Sequence, residues 1–203
     1  MHGVCQTRQW RRMFVGTSKF RTRKPCHIGF STIELLVTLA VLSVILASGS
    51  AGFSRLLRNQ KLSILTNDVI TSLRLARSAA ITRNAPVSLC QSASGSECER
   101  AAQWEYGWVT FVDTNGNKLA DPGEDIIQRH EPLAPGLRLR WRASGHSNYY
   151  VSYLPVGKSN KAGSFWLCDF SGADLLGRRI VMANTGTIRV EDASEAEILT
   201  NCP

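Results

Sequence analysis

Residues 26–85 contain no proline, and within 30–83 glycine occurs only at Gly49 and Gly52. Proline stops a helix interior and glycine is the next weakest helix former. Their scarcity permits one continuous helix over residues 30–83, about 80 Å long at about 1.5 Å per residue, until Pro86 ends it. Charge is missing as well: residues 1–29 hold no acid, and residues 35–54 hold no charge of either sign. Histidine is scarce, with only His130 and His146 beyond residue 29. Gly-x-Ser-x-Gly, a phosphate-binding loop and His-Glu-x-x-His are all lacking. Those absences remove nucleophile-elbow hydrolysis, P-loop nucleotide chemistry and zinc peptidase chemistry. No enzyme and no cofactor is expected.

The net charge of +8 is concentrated at one end. Arg8, Arg11, Arg12, Lys19, Arg21, Arg23 and Lys24 precede Gly29, which leaves 17 Lys/Arg against 16 Asp/Glu in the rest of the chain. The high pI therefore reports a targeting segment and says little about a polyanionic partner. A basic flank stays cytoplasmic, so the chain beyond the apolar run is expected to be translocated. The run is long enough to span, because ~20 helical residues cross a bilayer core. An ordinary secretory signal cut near residues 47–51 is the alternative, and it leaves Glu34 unexplained inside the apolar region. A start at Met13 would shorten the basic leader to 17 residues and keep Lys19, Arg21, Arg23 and Lys24.

Past residue 54 the helix turns amphipathic. Leu62, Leu65, Val69, Leu73, Ala76 and Ala80 recur at steps of three and four, with Arg58, Lys61, Arg74, Arg77 and Arg83 off that stripe. Gly49 and Gly52 mark the expected point of bending. After Pro86 the pattern changes to about eight short strands: 87–90, 104–112, 126–130, 137–142, 149–154, 164–168, 179–183 and 187–190, with a turn region at 113–125. The expectation is an α+β chain in which one long helix packs its second half on an antiparallel sheet. Its parts are a leader (1–29), a transmembrane half-helix (30–54), an amphipathic half-helix (55–86) and a β domain (87–203).

Four cysteines follow the leader, which itself holds Cys5 and Cys26. An even number in a translocated domain implies disulfides. Of three possible connectivities, Cys90–Cys98 with Cys168–Cys202 is favoured, closing a short loop and pinning the C-terminal tail to a strand. Zinc is the rival, but the spacings do not match a zinc ribbon.

Asp113, Asn115, Asn117, Asp121 and Glu124 fall at positions 1, 3, 5, 9 and 12 of an EF-hand-type calcium loop. Lys118 stands where that loop needs glycine, strands flank it, and Asn-Gly and Pro-Gly are hairpin chemistry, so a metal-free turn is preferred. Arg138, Arg140 and Arg142 alternate along one strand face, with Tyr149, Tyr150 and Tyr153 soon after, and Arg178 and Arg179 form a second basic pair. Such stripes contact phosphates and stack bases in some proteins, but a solvated charged face is the preferred reading.

Glu34 is the residue that organises the N-terminal signals. An intramembrane carboxylate needs a partner, and cleavage after Gly29 would supply one: the new amine of Phe30 on an adjacent subunit. The stretch Gly29-Phe30-Ser31-Thr32-Ile33-Glu34-Leu35 behind a basic leader resembles the type IV pilin and type II secretion pseudopilin superfamily. Residues 72–84 (Ser72-Leu-Arg-Leu-Ala-Arg-Ser-Ala-Ala-Ile-Thr-Arg-Asn84), Gly107-Trp-Val-Thr-Phe-Val-Asp113 with Asn115 and Gly123-Glu124, and Phe165-Trp-Leu-Cys168-Asp169 are similar to its GspH/FimT-like minor subunits.

The resemblance implies a pilin-like fold, cleavage between Gly29 and Phe30 by a prepilin peptidase, N-methylation of Phe30, and an assembly role for Glu34. It implies an inner-membrane protein with its C-terminal domain in the periplasm, partnered by other minor and major subunits of a pilus or pseudopilus. It also raises DNA binding at a pilus tip, which some members carry out through Gly-Arg-x-Arg. Here that segment reads Gly186-Thr187-Ile188-Arg189, one cation short, so DNA contact through Arg138, Arg140, Arg142, Arg178, Arg179 and Arg189 is the alternative and not the main expectation.

Overall fold

The computed structural model describes residues 30–145 and 148–202, less the side chains of 46–51. The leader with Gly29, Cys5 and Cys26, and also His146, lie outside the described residues. The chain divides into two compact units, residues 1–47 and 48–203.

Helix α1 runs Thr32–Arg83. It opens where the Ser31 carbonyl accepts the N–H groups of Glu34 (3.0 Å) and Leu35 (3.1 Å). Asn84 closes it at φ 48. There the Ala85 N–H reaches the Ala80 carbonyl (3.3 Å) and the Asn84 N–H that of Ile81 (3.4 Å). That is the paired closure a left-handed residue permits, and asparagine is the commonest substitute for glycine in it. Pro86 follows and prevents resumption. In the first unit the described side chains of α1 all face solvent. Among the described residues no helix is long and apolar enough to cross a membrane; the expected span over 30–54 runs through residues 46–51, whose side chains are not described.

In the second unit the periodic stripe is buried as expected: Leu62, Leu65, Val69, Leu73, Ala76 and Ala80 are at most 3% exposed. They pack on two sheets, where the sequence pattern suggested one. β1 (Val87–Gln91), β2 (Trp108–Val112), β3 (Ile126–His130) and β5 (Tyr150–Tyr153) form the first, in the order β3-β2-β1-β5. β4 (Leu137–Ala143), β6 (Gly163–Asp169), β7 (Leu176–Met182) and β8 (Ile188–Asp192) form the second, in the order β4-β6-β7-β8. Every pairing is antiparallel. Leu89, Trp108 and Val151 of the first sheet and Leu139, Phe165, Leu167 and Ile180 of the second share one core with the helix stripe. The chain changes sheet after β3, after β4 and after β5, and strand pattern alone carries no record of which strands pair.

Three local expectations change. The strand expected over 104–112 is split: Trp104–Tyr106 make one 3-10 turn, and Gly107 adopts φ 110 before β2 begins. A side chain there would meet the His130 carbonyl at 2.5 Å, so the close approach of β3 requires glycine. β7 starts at Leu176, three residues before the expected Arg179. A second helix, α2 (Glu195–Asn201), ends the chain where only a tail was expected. Its signal was present as Ser194-Glu-Ala-Glu197, a capping box: the Glu197 carboxylate accepts from the Ser194 N–H (2.9 Å) and hydroxyl (2.8 Å).

Candidate functional site

At the N-terminus of α1, Phe30 is 82% exposed and Glu34 lies in the first turn. A carboxylate there faces the positive end of the helix dipole. Behind it, Leu35, Leu36, Val37, Leu39, Val41, Leu42, Val44 and Ile45 are 52–69% exposed. A contiguous apolar surface of this kind on a soluble monomer would be exceptional, and it marks an interaction or membrane-facing segment.

The cysteines pair as Cys90–Cys98 and Cys168–Cys202, with Cα separations of 5.5 and 6.5 Å. Each bond sits in a small satellite core on the outer face of one sheet. Cys90 packs with Val109 and Phe111 under Cys98 and Ala120. Cys168 and Cys202 pack with Trp166 and Ile198. Gly177 of β7 lies beneath Ile198, which a Cβ there would meet at 2.7 Å.

The 113–125 loop closes on itself. Lys118 places its ammonium 3.0 Å from Asp113 Oδ2, and Ser88 donates to the same oxygen at 2.8 Å. Asn115 and Asn117 both donate to Asp121 Oδ2, at 2.8 and 2.6 Å. Glu124 accepts the Thr114 N–H and hydroxyl. The oxygens of the calcium-like set are thus answered by the loop's own donors, and Lys118 is the cation beside Asp113. Lys118 takes φ 67, the conformation for which such loops use glycine. Among the described residues no group of His, Cys, Asp or Glu is arranged to hold a metal ion.

The expected basic stripe is largely internal. Arg138 donates to the Cys202 carbonyl at 3.0 Å and lies 4.8 Å over the Phe170 ring. Arg140 pairs with Glu105 and donates to Gln103 Oε1 at 2.8 Å. Arg142 is exposed and reaches the Asn201 carbonyl at 3.4 Å. Arg138 and Arg142 thus serve the C-terminal carbonyls of α2, which carry its negative dipole end, and Arg140 serves the 103–105 turn. Arg178 and Arg179 do not form a cluster, since neighbours in a strand point to opposite faces. Arg179 stands beside Trp166 (4.9 Å) and donates to Ser164 Oγ, while Arg178 is paired across the sheet with Asp192. Arg189 is exposed on β8, 3.9 Å from Glu191. Tyr153 is buried, its hydroxyl on the Met182 sulfur at 3.2 Å; burial pushes its pKa up to about 12 against the opposing pull of Arg77. Burial leaves it no face on which a base could stack.

Two arginines off the apolar stripe are structural. Arg58 donates to Asp169 Oδ2 (2.8 Å) and to the carbonyls of Asp169 and Asp174. Burial alone would raise the Asp169 carboxyl, but hydrogen bonds from Ser171 and the Arg58 guanidinium outweigh it and hold it below its ordinary value. Arg77 donates to the carbonyls of Gly186 (2.9 Å) and Thr185 (3.1 Å), fixing the β7–β8 turn to α1. The helical spacing put both off the apolar stripe; only the return of distant loops supplies their acceptors. Glu99 and Glu197 are also held below the ordinary carboxylate value. Backbone and hydroxyl donation from Ser94 does so for Glu99, and from Ser194 for Glu197.

Comparison with known proteins follows the same architecture. The family model for the type II transport protein GspH matches residues 65–186. The pilin-like protein PilA1 of Thermus thermophilus is 29% identical over 167 residues, 80% of this chain and 97% of its own length. The crystal structure of the type IV minor pilin FimU of Pseudomonas aeruginosa superposes with a TM-score of 0.51 at 16% identity. It covers 66% of this chain and 90% of FimU, a likeness of fold. With its long helix, antiparallel sheets and family match over more than half its length, the chain belongs to the GspH family, structural subunits of the type IV pilin class and not enzymes.

Proposed function

We propose that this chain is a minor pilin or pseudopilin that takes part in assembling a type IV pilus or a type II secretion pseudopilus. The observation that carries the reading is Glu34, a carboxylate in the first turn of a helix whose next eleven residues are uncharged and exposed. Held in the inner membrane by residues 30–54, with the leader cytoplasmic and residues 87–203 periplasmic, the subunit would wait with its apolar helix in lipid. Cleavage after Gly29 by a prepilin peptidase frees the Phe30 amine. Methylation keeps that amine positive, and Glu34 pairs with it on a neighbouring subunit. In a low-dielectric setting a lone carboxylate is unfavourable and a paired one tolerable, so Glu34 acts as a register device.

Mass spectrometry of the membrane-extracted protein tests the first step: the expected N-terminus is N-methyl-Phe30. An intact leader, or a terminus near residue 51, overturns it. Glu34→Ala is expected to leave cleavage intact and abolish recovery of the chain in sheared filaments. Wild-type recovery would refute the assigned role. The nucleic-acid alternative is the less supported reading, because Arg138, Arg140 and Arg179 are bound to acceptors within the chain.

A further inference from the structure

We propose that a cleft at the β4 margin of the second sheet receives the acidic β8–α2 margin of a second copy of this chain. The proposal deepens the assembly reading and rests on it. The cleft has a volume of about 330 Å³, and Arg100, Gln103, Arg140, Arg142, Asn148 and Tyr149 form much of its wall. Among the described residues no carboxylate lines it. Arg140 is fixed by Glu105 and Gln103. Arg100 is exposed and held 4.9 Å over the Tyr149 ring, a cation–π contact that orients a guanidinium without filling its hydrogen-bond donors. Arg142 makes one long bond, 3.4 Å, to Asn201. Two arginines with donors to offer therefore converge on one small cleft, and the group that suits a planar guanidinium fork is a carboxylate.

The complementary group is on the opposite margin of the same sheet. Strands β4 and β8 are its two outermost strands. Residues 188–202 carry Glu191, Asp192, Glu195 and Glu197 against one cation, Arg189, which stands 3.9 Å from Glu191. The Asp192 side chain is 96% exposed and only 4.0 Å from Arg178, a loose pairing, and Glu195 is exposed. Charged residues on β8 oppose direct strand-to-strand addition, so the contact is made through side chains. Contact between two unlike margins is heterologous: each copy keeps one free basic and one free acidic edge, and the contact extends into a row instead of closing as a dimer.

Charge reversal tests this on the full-length chain in detergent micelles, with association followed by sedimentation. Wild-type association is expected to weaken at least tenfold between low and moderate salt, because the pairs lie at the surface. Arg100→Glu/Arg142→Glu and Asp192→Lys/Glu195→Lys should each lose self-association. Mixed in equal amounts, they should associate again, since the native acidic margin of the first meets the native basic cleft of the second and the two reversed surfaces are also complementary. A silent mixture, or a variant that associates like the wild type, overturns the proposal. Should a reversal variant misfold, Arg100→Gln/Arg142→Gln provides the milder loss: about tenfold weaker association supports the proposal and no change refutes it. The assembly reading fails by other signs, an unprocessed Phe30 or absence from filaments, which association of purified protein does not affect.

Discussion

The outer face of the first sheet is covered by loops and that of the second by a helix, and in both one disulfide ties the cover down. Cys98 holds the 92–102 loop over Val109 and Phe111; Cys202 holds α2 over Trp166. Each sheet also has a fully buried aspartate just at or after the end of a central strand, Asp113 behind β2 and Asp169 at the end of β6. Asp113 is answered locally, by Lys118 five residues on and by Ser88 of the paired strand. Asp169 is answered locally by Ser171 and, for its counter-charge, from 111 residues away by Arg58 of α1. The first sheet is closed mainly by short-range devices and the second by long-range ones. Loss of the longer disulfide should therefore cost more, because it frees a longer loop of the unfolded chain.

The largest effect is expected at Arg58. Arg58→Ala leaves Asp169 buried without its cation and should lower unfolding free energy by about 3–5 kcal/mol, measured by urea denaturation of the purified chain. The same pair carries an acid dependence. Asp169 is held below its ordinary value, so its contribution is complete above the unfolded carboxylate range near pH 4 and is lost as pH falls through the lowered native value. Asp169→Asn should flatten that acid limb, and a limb unchanged in the variant would assign it to other carboxylates.

The disulfides come next and compare the sheets directly. With sequence separations of 34 and 8, chain-entropy estimates give about 4 kcal/mol for Cys168–Cys202 and about 2.5 for Cys90–Cys98. Cys202→Ser should accordingly lower the thermal midpoint more than Cys98→Ser; the reverse order would mean that the 92–102 cover matters more than its length suggests. Lys118→Ala should cost less, about 1–3 kcal/mol, since Arg58 also serves the carbonyls of Asp169 and Asp174 whereas Lys118 serves only that of Gly116. If it equals Arg58→Ala, the contrast between local and long-range closure collapses. The smallest change is Ser194→Ala, about 0.5–1 kcal/mol from loss of the cap. Loss of hydrogen-exchange protection confined to α2 would show that this helix opens on its own.

Much of the architecture was legible because it repeats at short range. The buried helix stripe, the stop before Pro86, and the positions of β3 and β4 follow from periodicities of 3.6 and 2 and from residues with fixed backbone preferences. The capping box of α2 was equally legible, but it lies in a short segment of weak apolar pattern. Arginine chemistry was misread for a different reason: alternation along β4 says which face Arg138, Arg140 and Arg142 share, while their acceptors belong to residues 103–105 and 201–202. The sequence by itself determined the long helix, the uncharged run with Glu34 at its head, the strand count and the alternating faces, since these depend on neighbours a few residues apart. Only the tertiary structure decided that the strands divide into two sheets, that Arg58 and Arg77 turn inward, that Arg178 and Arg179 part, and that a basic cleft and an acidic ridge sit on opposite margins. Each of those depends on which distant segments meet, and a local pattern carries no information about its partner.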